Sequence, residues 1–187
     1  ATSIPAAFAF SKLRFAGRDT IFTVLLATLM IPETVLLIPN YLIVANFGWI
    51  DTLAALSIPF MGSAFFIFLL RQFFTQIPTT LLESARIDGY SHFGMMVRIV
   101  IPLSRAPLFT VGFLGFTGAW NALQWPLVVT QTPRWRPISV GLTTFINEAA
   151  ALIHLRLAGA LIALAPVMII YIIAQRQITE AISRTGL

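Results

Sequence analysis

Residues 83–102 read ESARIDGYSHFGMMVRIVIP, a polar and charged stretch set between apolar runs. Glu83, Ser84 and Ala85 stand together, and Gly89 follows after three intervening residues. Nine residues further on come Ile99, one spacer, Ile101 and Pro102. Local signals predict how the stretch folds. Thr80-x-x-Glu83 fits a capping box, in which a threonine hydroxyl and a glutamate satisfy the first free amides of a helix. The spacing predicts a helix from about Leu81 to Asp88. Gly89 then supplies the turn, because a residue without a Cβ takes positive φ at little cost. Ser91 is placed to start a second short helix, and Pro102 to mark the return to apolar sequence.

The apolar runs on either side decide the class. Of 187 residues, 58% are hydrophobic and 10% charged, and the mean hydropathy is +0.88. Soluble domains carry roughly 25% charged residues, so the composition is that of a membrane protein. A helix needs about 20 mostly apolar residues to cross a hydrocarbon core of about 30 Å. Four runs meet this: about 21–45, 53–74, 103–129 and 157–175. Residues 1–10 read as the tail of a further span, cut within a hydrophobic segment. The expectation is an all-α polytopic helix bundle with four full spans.

The basic residues set the orientation. Lys12, Arg14, Arg18, Arg71, Arg86, Arg98, Arg105, Arg176 and Arg184 fall on one side of the runs, and Arg134, Arg136 and Arg156 on the other. Cytoplasmic loops carry the excess of Lys and Arg. The asymmetry therefore places 75–101 and 176–187 in the cytoplasm and the longer loop 130–156 outside. The net charge of +5 does not indicate nucleic acid, because the cations sit at the ends of apolar runs and form no stripe with aromatics.

Other chemistries are excluded by what the sequence lacks. It holds no cysteine, and His92 and His154 have no metal-ligand spacing. Lys12 is the only lysine and follows a serine, so no phosphate-binding G-x-x-x-x-G-K loop is present. There is no G-x-S-x-G, no H-E-x-x-H and no pair of aspartates within the runs, which argues against an intramembrane enzyme.

The E-S-A, Gly89, Ile99-x-Ile101-Pro102 spacing resembles the EAA loop of ABC-importer permeases. Further segments extend the resemblance over 1–187: AFSKLRFAGRD, LATLMIPETVLLIPNYLI, FFIFLLRQFF, IPTTLLESARIDG, GAWNALQWPLVV and IIAQRQITEAI. Together they are similar to the carbohydrate-uptake, maltose-type second permease branch, which also holds glycerol-phosphate and glycerophosphodiester permeases. Ser84 departs from the family's middle alanine and Ile101 from its leucine. Ala122 and Gln124 depart from its usual W-N-D-F-L-W-P-L run.

The resemblance implies a type I ABC importer permease (MetI-like) fold over 1–187 as one transmembrane domain. It lacks the family's first span and most of the second. It implies that 75–101 is the cytoplasmic coupling loop, with Glu83, Ser84, Ala85, Asp88, Gly89, Ile99 and Pro102 as the handle for an ATPase. The implied partners are a second permease in a heterodimer, an ABC ATPase dimer, an extracytoplasmic solute-binding protein and membrane lipid. ATP and Mg would be bound by the ATPase, with no cofactor in this chain. The implied activity is alternating-access import of a sugar or oligosaccharide, with glycerol 3-phosphate or a glycerophosphodiester as the alternative solute.

Polar residues inside the runs are candidates for the translocation path. Glu33 lies within LMIPETVLL, and a carboxylate in hydrocarbon faces a cavity or a partner. Asn121, Gln124 and Trp125 stand together at the outer end of the third run, where two amides and an indole suit a polyol. Each has a plainer reading: Glu33 as a bundle ion pair, Trp125 as an interface anchor. Tyr41, Trp49 and Trp135 also fall near outer ends. Asn40, Ser57, Ser63 and Thr117 read as interhelix hydrogen bonders, and Gly112, Gly115 and Gly118 as a close-packing stripe.

Overall fold

The computed structural model describes residues 2–147 and 153–185. Residues 148–152 of the expected outer loop, 186–187 of the expected cytoplasmic end, and Ala1 lie outside that range. The described residues form helices and no strand. In order these are α1 (Ser3–Lys12), α2 (Arg18–Ala27), α3 (Glu33–Asn46), α4 (Leu53–Ser57), α5 (Ala64–Gln76) and α6 (Thr79–Ile87). Then follow α7 (His92–Met95), α8 (Ile101–Leu103), α9 (Arg105–Trp120), α10 (Gln124–Val129), α11 (Ile138–Asn147) and α12 (Ile153–Thr185).

Among the described residues, one helix alone is long and apolar enough to cross a membrane, over Ile153–Ile173. It matches the fourth run, and it stays apolar all round, with Leu161, Ile162 and Ile169 exposed, as a lipid- or partner-facing span does. Three further pairs pass only when each is taken as one broken span: Arg18–Met30 with Glu33–Asn46, Leu53–Phe60 with Ala64–Gln76, and His92–Leu103 with Arg105–Trp120.

Prolines stand at the first two breaks. After α2 the chain tightens into a 3-10 turn, and Ile31 is extended at φ −85° and ψ 118°, the region to which a following proline drives its neighbour. Pro59 lies in the 3-10 turn after α4. Ser63 then restarts the chain as the cap of α5, accepting from the Phe66 amide at 3.3 Å. The third pair corrects the expected span 103–129: its helical sequence starts at His92, and α9 ends at Trp120. Pro126 has no N–H to donate to the Ala122 carbonyl, and that carbonyl accepts from Ser139 Oγ at 2.6 Å instead.

The chain divides into two compact units, Ala1–Glu33 with Phe60–Val111, and Thr34–Pro59 with Gly112–Leu187. In the first, α1 packs along α5. Its core joins Ala7, Phe8, Leu70, Phe74, Ala85, Met95, Met96 and Val100. In the second, Val44, Ala55, Trp125 and Val129 cluster, with Tyr41 and Trp49 against them.

Two packing expectations are corrected. The hydroxyls turn back on their own backbone: Ser57 Oγ donates to Leu53 O at 2.6 Å and Thr117 Oγ1 to Phe113 O at 3.0 Å. In a helix whose own carbonyls lie nearest, that is the closest acceptor. A Cβ built on Gly112 or Gly118 meets nothing within 4 Å, so these two glycines are not points of close approach among the described residues.

Candidate functional site

The 75–101 stretch folds as a helix, a tight turn and a second helix. α6 begins at Thr79, two residues before the expected Leu81, with Pro78 as its N-cap and no side-chain cap. The capping box is therefore not formed: proline supplies the fixed φ that starts the helix, and Thr80 lies inside it, its carbonyl accepting from Ser84 Oγ at 3.0 Å.

The end of α6 follows the sequence reading. Gly89 sits at φ +83°. Its N–H donates to Arg86 O at 3.1 Å, and the Tyr90 N–H donates to Ala85 O at 2.9 Å. This pair of bonds is a Schellman motif, which satisfies the carbonyls that a helix end leaves free. Ser91 starts α7 as expected, its hydroxyl accepting from the Gly94 amide at 3.1 Å. From Met96 to Val100 the winding widens to a π-helix before α8.

The motif residues divide by face. Ala85 is buried in the first unit's core, where only a small side chain lets α6 approach. Ile99 packs partly against the same core. Glu83, Ser84, Asp88, Gly89 and Pro102 are exposed. Apolar side chains stand out around them: Leu81, Ile87 at 88% exposure, Phe93 and Val97. An exposed helix face with a free carboxylate and a rim of large apolar groups suits a protein partner.

Behind this loop lies a basic cluster that the sequence reading did not single out. Lys12 Nζ, at the end of α1, donates to Ile77 O at 2.5 Å and to Thr75 O at 3.4 Å. Burial lowers its ammonium pKa from the ordinary lysine value. Arg71 Nε donates to Phe10 O at 3.2 Å, and its guanidinium lies 4.0 Å over the Phe22 ring. Asp19 faces Arg71 at 4.0 Å and pairs with Arg18 at 2.9 Å.

The proposed path residues are distributed as follows. Glu33, the last residue of the first unit, opens α3 and is exposed at that helix's N-terminus, where a carboxylate is favoured by the helix dipole. Asn121 and Gln124 are exposed at the break between α9 and α10, and Asn121 Nδ2 donates to Thr117 O at 2.9 Å. Trp125 is turned the other way. It is buried, and its indole N–H donates to Ala55 O at 2.9 Å.

Beside Trp125 is a second feature the sequence reading missed. Asp51 takes φ +60°, a conformation that aspartate tolerates better than most residues. Its Oδ1 accepts from the Gln131 and Thr132 amides, each at 2.9 Å. Its Oδ2 accepts from Thr132 Oγ1 at 2.6 Å. These bonds, the Thr132 hydroxyl first, lower the Asp51 pKa from the ordinary carboxylate value. The clamp fixes the turn after α3 to the start of the 130–137 segment. There Arg136 donates to Gln131 O at 3.2 Å, and Arg134 lies 5.2 Å over Trp135.

Known proteins are similar to this chain in sequence and fold. Residues 2–184 match the family described as binding-protein-dependent transport system inner membrane component. An sn-glycerol-3-phosphate transport system permease protein of Brucella abortus (strain 2308) is 34% identical over 185 residues, 98% of this chain and 66% of the relative. One from Agrobacterium fabrum has the same identity and coverage. One from Yersinia pestis bv. Antiqua (strain Antiqua) is 32% identical over 93% of this chain and 63% of its own length. The chain thus spans just under two thirds of these curated relatives. Among solved structures, a bacterial ABC transporter involved in import of the acidic polysaccharide alginate superposes with a TM-score of 0.80, at 27% identity, over 92% of this chain and 66% of that one. The chain belongs to the family of binding-protein-dependent transport system inner membrane components.

Proposed function

We propose that this chain is a permease subunit of an ATP-driven importer that moves a sugar or oligosaccharide by alternating access. The observation that carries this reading is α6 itself. Ala85 ties the helix into the core, the Gly89 turn fixes its end, and Glu83 and the apolar rim stay exposed for a partner. A separate ATPase dimer, binding ATP and Mg, grips that face. Its closure moves the first unit, while a second permease completes the pathway and an extracytoplasmic binding protein delivers solute. The chain does no covalent chemistry of its own. A second reading is import of glycerol 3-phosphate or a glycerophosphodiester, and the similarity to sn-glycerol-3-phosphate permeases favours it.

The proposed orientation puts 75–101 and 176–187 in the cytoplasm. Purified gently from its membrane, the full-length subunit is expected to bring down an ABC ATPase and a second permease. Cysteines replacing Ser91 and Thr132 are expected to label from opposite sides. Recovery of the subunit alone, or labelling of both cysteines from outside, contradicts the reading.

For solute contact, Glu33, Asn121 and Gln124 are assigned to the path, with Trp125 holding the α10 segment next to Gln124. Alanine at the three polar positions is expected to raise the apparent KM for uptake of the preferred solute, measured with labelled sn-glycerol 3-phosphate and a panel of oligosaccharides. Unchanged kinetics and unchanged preference across that panel would remove all three from the path.

A further inference from the structure

α1 and α5 lie side by side with their C-terminal ends together, since Lys12 of α1 reaches Thr75 and Ile77 at the end of α5. The last carbonyls of a helix have no partner within it and carry the negative end of the dipole. Here each helix caps the other. Arg71 of α5 donates to the free carbonyl of Phe10 in α1, and Lys12 of α1 donates to the carbonyls at the end of α5. The acceptors of Lys12 matter most. Ile77 is the single residue between the end of α5 and Pro78, which begins α6. Lys12 therefore holds the joint between the α5 shaft and the loop helix.

We infer that Lys12 is a positioning residue for coupling: it clamps the α5–α6 joint to α1, so that force applied to α6 moves α1 and α5 as one body. This rests on the reading of α6 as the handle for an ATPase. The side chain suits the task. Its stem is half-buried beside a core of Ala7, Phe8 and Phe74, and its ammonium, with three donors and no acceptor, satisfies two carbonyls at once. An apolar replacement of similar length keeps the packing and removes both bonds. The joint then keeps its own Ile77 N–H bond to Phe74 O and the packing of Ile77 and Ala85 on the core, but loses both bonds from Lys12 of α1.

The test uses the assembled transporter, with nitroxide labels on cysteines replacing Pro5 in α1 and Ile87 in α6. These 187 residues contain no cysteine that competes. With Lys12 present, one narrow label–label distance is expected both without nucleotide and after trapping with ATP and vanadate. In Lys12→Met that single distance is expected to be lost on trapping, and Lys12→Arg, which retains the donors, is expected to restore it. Should Lys12→Met fail to insert, Lys12→Gln, too short to span both carbonyls, is read against the same criterion. The Ile87 label separates the two ideas. If it stays fully mobile in the assembled transporter, α6 is not the handle and the inference falls with that reading. If it is immobilised but the neutral variant keeps the narrow trapped distance, α6 remains the handle and Lys12 alone is refuted.

Discussion

Uptake is expected to be abolished in Gly89→Val and in Glu83→Lys, while the subunit still inserts and assembles. Gly89 stands at φ +83° with open space where a Cβ would go. The obstacle is therefore conformational and not steric. A residue with a Cβ pays about 1–2 kcal/mol at positive φ, and a β-branched one is an outlier there. Relief comes by giving up the two bonds that close α6, from the Gly89 and Tyr90 amides, which swings the helix away from its seat. Asparagine, which accepts the left-handed region, is expected to retain most of the activity. Glu83 tests the other half of the surface. Its side chain makes no hydrogen bond or ion pair among the described residues, so charge reversal leaves the fold intact and acts on the partner. Measured in reconstituted transporter, solute-stimulated ATP hydrolysis is expected to fall together with uptake in both variants. Normal coupling in both would show that α6 is not the contact.

The second large effect is expected at Asp51. Asp51→Ala removes the acceptor of three bonds and leaves an alanine at φ +60°. The 130–137 segment then loses its side-chain attachment to the turn after α3, and the Asp51 N–H bond to Val129 O at 2.8 Å is what remains beside it. Thermal unfolding, followed by fluorescence of the nearby buried Trp125, is expected to begin several degrees earlier. Asp51→Gly relieves the backbone but not the lost bonds, and so lies between alanine and the parent. The pH dependence has a definite sign. A carboxylate whose folded pKa is depressed stabilises fully above its ordinary value of 3.8 and loses that contribution as pH falls through the lower folded value. The gap between parent and Asp51→Ala is thus expected to be constant near neutrality and to narrow in strong acid. A gap that widens on acidification would show that the carboxylate is not what holds the segment.

Both of these sites lie on turns, yet only one was legible in the sequence. Gly89 is readable because a glycine just beyond a charged helix end answers a local need: the backbone must take positive φ there. Asp51 answers a distant need, since its partners stand some eighty residues away along the chain, and two of its three bonds come from backbone amides that any sequence supplies. The only hint was an aspartate just after Gly-Trp-Ile between two apolar runs. Lys12 was hidden for the same reason: its acceptors are carbonyls. Its one mark was being the sole lysine. The spans were legible as composition and not as geometry. A window of about 20 residues averages over Pro32, Pro59 and Pro126, whereas each of these sets the local backbone where a break falls. Trp125 looked like an interface ring because it lies near a predicted span end. The carbonyl that receives its N–H, on Ala55, belongs to a different helix.

The π-helical turn at Met96–Val100 changes what the interval from Gly89 to Ile99 means. Each residue of an α-helix turns the chain by about 100°, and a widened turn absorbs an additional residue without lengthening the helix in proportion. The nine residues between the glycine and the isoleucine therefore set a heading as well as a reach. They fix the compass direction in which α8 leaves the loop relative to the face that α6 offers its partner, much as the keyway on a shaft fixes the angle of a wheel.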